Sequence, residues 1–413
     1  MFARWNLTRN PFDTSPISLG SLDWFVGRGG ELELCRRLLT EQSVILVEGE
    51  LGVGTTSFGN VVRFGAPART PRMELSAYRG WHAQTLLENV LVAVLHDVED
   101  DPRAQRSEAV SKVTALVQRV ERAVHSAGVN VLGFGGQISR NVAVTQPGIV
   151  PMETLRHALA SLVDAFPPER GSSSFVVQLN NLDQKLTFSD EELITFLNDI
   201  RDSLQLPGFG WMLVGKKGLG HFVTRNVPRV RTIISHDVTL SPLSRSEVEE
   251  AVDRRIRACA LPGEKPENPI DAKVLHDIYE ASGGSLRETF MLCSKLSLAI
   301  ASDPLYDKVT RREAGAVVAS LLSARFANIR RSPLRLAILR LLNEGRGLTQ
   351  TQIVHRLGKS QASISRALKP LIEDELVRCK RDGRNVRYWP APEVKLAAAH
   401  LAEGVREADD RGQ

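Results

Sequence analysis

Two kinds of pattern alternate along the first 240 residues. Short apolar runs without polar alternation, Ser43-Val44-Ile45-Leu46-Val47 and Phe175-Val176-Val177-Gln178-Leu179, suit strands buried on both faces of a parallel sheet. Weaker strand signals lie near Met73–Leu75 and over Trp211–Val214. Between them, helical spacing covers Gly29–Thr40, a stretch from Thr55, Trp81–Val98, Ser107–His125, Thr154–Phe166 and Asp190–Leu204. Residues 128–144 alternate like a hairpin and read as an insertion. From about Ser241 to Leu322 only helical periodicity remains, opening on Ser244 and Glu247 at capping-box spacing. The order predicts an α/β body over 1–240 and a helical lid over 241–324.

The last segment carries a third pattern. Pro333–Asn343 and Thr349–Leu357 have helical spacing, Gly358-Lys359 makes a turn, and a third helix starts at Ser360 with Ile364, Leu368, Leu371 and Ile372 inward. Val377–Trp389 reads as two strands around Asp382-Gly383, a strong hairpin signal. Helix, helix-turn-helix and basic hairpin make a winged helix-turn-helix over 325–402, similar to MarR-type and ArsR-type regulators. Arg325–Arg331 reads as a basic hinge, and 403–413 as a flexible polar tail.

Charge sharpens this picture. The chain of 413 residues has a formal net charge of +5. Between Arg330 and Tyr388 stand fourteen Lys and Arg against five Asp and Glu, while the remainder holds 39 basic and 43 acidic residues. All the positive excess therefore sits in one segment, which points to a polyanion. The third helix would enter the major groove, with Lys359, Ser360, Gln361, Ser363 and Arg366 at its start. Arg366 is the best candidate for a bidentate guanine contact. Arg378, Lys380, Arg381, Arg384 and Arg387 crowd the hairpin and would meet phosphate or the minor groove. The alternative is a winged helix used for protein contacts. His355 is expected to pack or cap.

Gly49-Glu50-Leu51-Gly52-Val53-Gly54-Thr55-Thr56 fits the phosphate-loop pattern G-x-x-x-x-G-K-[ST] at every fixed position but one. It follows a buried strand and precedes a helix, so glycines and helix N-terminus would together cradle a phosphate. Thr56 stands where a Mg²⁺-ligating hydroxyl belongs. Thr55 stands at the lysine position and brings no ammonium. After the second buried run comes Asn180-Asn181-Leu182-Asp183, where related ATPases place paired carboxylates that organise Mg²⁺ and the attacking water. Both are amides here, and Asp183 is the carboxylate that remains. Lysine and both acids are absent together, so little or no hydrolysis is expected.

These motifs resemble the AAA+/STAND group of P-loop ATPases, and in particular origin-recognition and Cdc-type initiators that end in a winged helix. Asn10-Pro11-Phe12 and Phe25-Val26-Gly27-Arg28 are similar to that group's lead-in. Gly49–Thr56 and Asn180–Asp183 occupy its Walker A and Walker B positions. Trp211–Lys216 resembles sensor 1, without an Asn, Ser or Thr at its end; Pro242-Leu243-Ser244 resembles the link into the lid. Gly283–Glu288 resembles sensor 2, which implies Arg287 near a γ phosphate. The resemblance implies ATP or ADP with Mg²⁺ as cofactor and assembly with copies of itself or with protein partners. Arg225, Arg229 and Arg231 are candidates for an arginine finger, or else surface arginines beside a strand.

The fold class expected is thus a P-loop NTPase-like parallel sheet, a helical lid and a winged helix. The function expected is DNA docking with a catalytically weak body, in replication initiation, transposition or mobile-element defence. The alternative is a transcriptional regulator or scaffold whose ATPase fold is an interaction module. Four scattered cysteines without a CxxC pair argue against a zinc site and against a disulfide framework, and no apolar run reaches the roughly 20 residues of a membrane span. A cytoplasmic, nucleoid-associated protein is expected.

Overall fold

A computed structural model of the chain describes residues 1–126, 150–183, 186–301, 307–330, 332–344, 347–382 and 385–397. The inserted hairpin expected over 128–144 and the tail over 403–413 lie outside the described residues. The chain divides into two compact units, residues 15–241 and residues 1–14 with 242–413.

The first unit is built from α1 (Gly29–Thr40), β1 (Val44–Gly49), α2 (Thr55–Phe64), β2 (Leu75–Ser76), α3 (Ala83–Val98), α4 (Glu108–Ser126), α5 (Met152–Ala165), β3 (Phe175–Asn180), α6 (Asp190–Ile200), β4 (Phe209–Lys216), α7 (Leu219–Asn226), α8 (Pro228–Arg231) and β5 (Ile234–Leu240). The strands form one sheet in the order β2-β3-β4-β1-β5, every pairing parallel. Both faces are covered. Ile45 and Val47 of β1 pack with Phe58 and Val62 of α2. Val44 and Leu46 join a larger core with Leu86 and Leu91 of α3 and Leu197 of α6. Burial on both sides is why β1 shows no polar alternation. In a parallel sheet of this kind the loops after the strands' carboxyl ends are where ligands bind, and the Gly-rich loop follows the end of β1.

β5 was not evident in the sequence. Ile234-Ser-His-Asp-Val-Thr-Leu240 is the edge strand, exposed at alternate positions, so polar residues interrupt its apolar ones. The helix expected over Asp190–Leu204 ends at Ile200, and a 3-10 turn over Ser203–Gln205 replaces its last part.

The second unit holds α9 (Arg245–Ala258), α10 (Ala272–Ala281), α11 (Leu286–Ala301), α12 (Arg311–Arg330), α13 (Pro333–Asn343), β6 (Leu348–Thr349), α14 (Gln350–Leu357), α15 (Gln361–Glu373), β7 (Val377–Asp382) and β8 (Asn385–Pro390). The Ser244–Glu247 capping box forms: the Ser244 hydroxyl accepts from Glu247 N at 3.3 Å, and Ser244 N donates to Glu247 Oε2 at 2.7 Å. The N-terminal residues, expected with the sheet, pack here instead. Thr8 N donates to Cys259 O at 2.7 Å. Phe12 lies 6.4 Å from the Phe290 ring, and Arg255 stacks on the same ring at 4.5 Å. Burial of Trp5 and Leu7, 2% and 1% exposed, supplies the driving force. The basic hinge expected over Arg325–Arg331 is helical through Arg330, as the last part of α12.

Candidate nucleotide loop and nucleic-acid interface

Gly49 closes β1, and Gly54 starts α2 as its N-cap without a side-chain cap. Gly52 and Gly54 take φ of 84° and 95°, which L side chains seldom adopt. A Cβ on Gly49 would meet Val53 Cγ2 at 2.7 Å and Thr55 Cγ2 at 2.9 Å. The loop therefore turns tightly on its glycines and points a helix N-terminus at its own concavity, which suits a phosphate. The Thr55 methyl packs toward Gly49. Arg28, N-cap of α1 at φ 61°, reaches the loop from the side. Its Nη2 donates to Val53 O at 3.1 Å and Ser241 O at 2.9 Å, and its Nη1 lies 3.9 Å from the place of a Gly54 Cβ. Sequence reasoning placed Arg28 in the lead-in and missed that it reaches the loop.

Asn180 ends β3 and is 3% exposed. Its Oδ1 accepts from Gln178 Nε2 at 2.8 Å, and that nitrogen also donates to Thr56 O at 3.4 Å. The Thr56 carbonyl can only accept, which fixes which end of the Gln178 amide faces it. Asn180 Oδ1 must then be the atom facing Gln178, and Asn180 Nδ2 is left buried without a hydrogen-bond partner among the described residues. Asn181 takes φ 65°, and Asp183 is half-buried, its carbonyl accepting from Thr187 N at 3.0 Å.

The residues fit a phosphate and do not fit Mg²⁺ held in the usual way. Thr56 offers one neutral hydroxyl. At the first Walker B position an amide oxygen already engaged by Gln178 replaces the carboxylate, and an N–H donor, which repels a cation, stands beside it.

Glu48, just before the loop, accepts from Gly218 N at 3.0 Å and Gly220 N at 2.8 Å and so occupies the start of α7. Lys217 N donates to Gly49 O at 2.8 Å. Arg287 lies in the other unit, exposed in the first turn of α11. Of the finger candidates, Arg231 bonds Asp237 of β5 at 2.7 Å, while Arg225 and Arg229 are exposed.

The winged helix forms from local signals. Thr349 caps α14, accepting from Gln352 N at 3.3 Å, and Gly358 ends it at φ 60°. Ser360 caps α15, its Oγ accepting from Ser363 N at 3.2 Å. Ile364, Leu368 and Leu371 of α15 are buried with Ile338 and Leu342 of α13 and Ile353 of α14. At the start of the helix Lys359, Ser360, Gln361, Ser365 and Arg366 are exposed and Ser363 is half-buried; Arg366 lies on the side away from the buried residues. β7 and β8 pair antiparallel, Lys380 opposite Arg387, and β6 adds to β8 as a third strand. Gly347 fits closely under Trp389, where a Cβ would run into the indole Nε1.

The wing differs in part from expectation. Arg378 is bonded to Glu288 of α11. Arg387 is half-buried and donates to Gly347 O at 3.4 Å. Arg384 lies outside the described residues, as do the side chains of Lys380 and Arg381. His355, expected to pack or cap, is exposed.

The fold and these two sites define a P-loop-type α/β body joined to a C-terminal winged helix. Residues 331–385 match the MarR family. Over 402 residues the chain is 22% identical to an uncharacterized HTH-type transcriptional regulator of Methanocaldococcus jannaschii, covering 94% of this chain and 92% of that protein. Solved structures it is similar to include the Aeropyrum pernix ORC1 protein in complex with DNA, at 17% identity, TM-score 0.43, and coverage of 98% of this chain and 97% of that one. The Aeropyrum pernix ORC2 protein in ADPNP-ADP complexes matches at 14% identity and TM-score 0.45, covering 98% of each chain. Cdc6p from Pyrobaculum aerophilum matches at 13% identity and TM-score 0.42, covering 97% of this chain and 99% of that one. Among the described residues no helix is long and apolar enough to cross a membrane.

Proposed function

We propose that the protein docks on duplex DNA through α15 and the wing, and that its P-loop body binds a nucleotide with little or no hydrolysis. One observation carries the DNA reading. The start of α15 leaves Lys359, Gln361, Ser365 and Arg366 exposed, with Arg366 on the side away from the buried Ile364 and Leu368, in the segment that holds the chain's whole positive excess. That is the arrangement a recognition helix needs in a major groove. Lys359, Ser360, Gln361 and Ser363 would contact phosphates or base edges, and Arg366 a guanine. Lys380, Arg381, Arg384 and Arg387 on the wing would meet the backbone.

In the body, the amides around Gly49, Gly52, Gly54, Thr55 and Thr56 would hold the phosphates, with Asn180 and Asp183 beside them. The charge stabilisation of a P-loop lysine and the water activation of Walker B carboxylates are both missing. The bound nucleotide would then serve assembly or partner recruitment in replication initiation, transposition or mobile-element defence.

A second reading is a transcriptional regulator whose body is an interaction module. The MarR match and the relative described as an HTH-type transcriptional regulator favour it.

The test is binding of the full chain to labelled duplex over a salt series. Log affinity should fall steeply with log salt. Arg366→Ala should reduce discrimination between sequences by roughly 1–3 kcal/mol. Absence of duplex binding at low salt would sink both readings.

A further inference from the structure

We infer that the phosphate loop is a metal-independent anion site: it takes the diphosphate of a nucleotide through N–H donors alone, and its affinity does not depend on Mg²⁺. This rests on the nucleotide part of the proposed function and specifies how that site works.

Two independent features carry it. The loop itself is a cradle of backbone amides, with left-handed Gly52 and Gly54 and an N-terminus of α2 that no side chain caps. Asn180 Nδ2, on a residue 3% exposed, is buried without a hydrogen-bond partner among the described residues. Such a donor costs about 1–3 kcal/mol when left unsatisfied. Gln178 Nε2 links this residue to Thr56 O at the start of α2, and a donor at that place suits an anion and not a metal ion.

The chemistry that usually calls for Mg²⁺ is missing in a consistent way. In ordinary P-loop sites a carboxylate faces the phosphates, and the cation sits between them to cancel the repulsion. Here the residue at that position is neutral, its oxygen is taken by Gln178 Nε2 at 2.8 Å, and its free atom is a donor. The repulsion between that carboxylate and the phosphates is therefore absent. Arg28, with Nη1 3.9 Å from the place of a Gly54 Cβ, supplies positive charge at the loop where Thr55 cannot. Thr56 keeps a hydroxyl, which donates to a phosphate oxygen as readily as it ligates a metal.

The experiment is calorimetric titration of the full chain with ADP, in excess Mg²⁺ and in excess EDTA. The two dissociation constants should agree within about twofold, a difference well under 1 kcal/mol. Asn180→Asp should weaken ADP binding in EDTA by about tenfold or more, since a donor becomes a like charge, and Mg²⁺ should restore part of it. If Asn180→Asp does not fold, Thr56→Ala replaces it, and its affinities with and without Mg²⁺ should still agree. The inference is overturned if ADP fails to bind in either condition. It is also overturned if EDTA weakens wild-type binding about tenfold, if Asn180→Asp binds ADP in EDTA as well as wild type, or if Thr56→Ala weakens ADP binding in Mg²⁺ but not in EDTA. Duplex binding, measured on the same preparation, separates its failure from failure of the DNA reading.

Discussion

The guanidinium of Arg378, on the first wing strand, bonds the carboxylate of Glu288 in the first turn of α11. One arginine of the wing is therefore neutralised within the protein, by the residue next to Arg287. The side chains are 40% and 31% exposed, and such pairs contribute about 0–1 kcal/mol to stability. Glu288→Gln should leave thermal stability nearly unchanged and free Arg378 for phosphate. The salt slope of duplex binding should then steepen by about one unit. An unchanged slope in a salt series would mean that Arg378 does not face DNA.

Arg231 bonds Asp237 at 2.7 Å, both side chains 35% exposed. An arginine held by a neighbouring strand cannot also act as a finger without breaking that pair. Arg231→Ala should cost at most about 1 kcal/mol of stability and leave ADP affinity unaltered, as a local surface pair does. A large loss of nucleotide binding or of self-association, read by calorimetry and light scattering, would restore Arg231 as a finger.

Much of this architecture could be read from local signals because single residues enforce it. The β1 run is apolar because both faces of the sheet are covered, and the helices of the wing start at Thr349 and Ser360 because their hydroxyls cap them. What escaped detection depends on tertiary context. β5 is an edge strand whose period is broken by His236, which stands half-buried in line with Ile234 and Val238. Residues 1–14 carry no pattern that assigns them to the second unit; Trp5 and Phe12 reveal their partners only in the folded chain. At the phosphate loop the motif spacing identified Gly49–Thr56 and Asn180, but not the Gln178 bond to Thr56 O or the approach of Arg28. Those are contacts across 122 and 25 residues of chain in the cases of Gln178 with Thr56 and Arg28 with Val53.

Asp97, on α3, is expected to make stability depend on pH. Burial pushes its carboxyl above the ordinary 3.8, against the pull of Arg69, Arg72 and Arg63. The fold thus binds the proton more tightly than the unfolded chain does. Its contribution is fully favourable below 3.8 and is lost as pH rises through the raised value. Asp97→Asn should accordingly raise the melting temperature at pH 7, and the gain should shrink on acidification and vanish below 3.8. Thermal melts of both proteins across that range check it. Equal melting temperatures at pH 7 would show that the three arginines fully offset the burial.

Ser360 holds two roles that substitutions can separate. Its hydroxyl caps α15, accepting from Ser363 N at 3.2 Å, with the Ser363 hydroxyl 2.9 Å away. It is also exposed at the end of the helix that would enter the groove. Loss of a cap costs about 0.5–2 kcal/mol, so Ser360→Ala should lower stability by that amount and weaken duplex binding only modestly. Aspartate caps as well as serine and suits the positive end of the helix, so Ser360→Asp should keep or raise the melting temperature. The same carboxylate would face DNA phosphates, and duplex affinity should fall about tenfold or more at low salt, with the loss shrinking as salt screens it. A Ser360→Asp protein that is stable and binds duplex like wild type would place the start of α15 away from DNA, and the recognition face would have to be sought elsewhere on the winged helix.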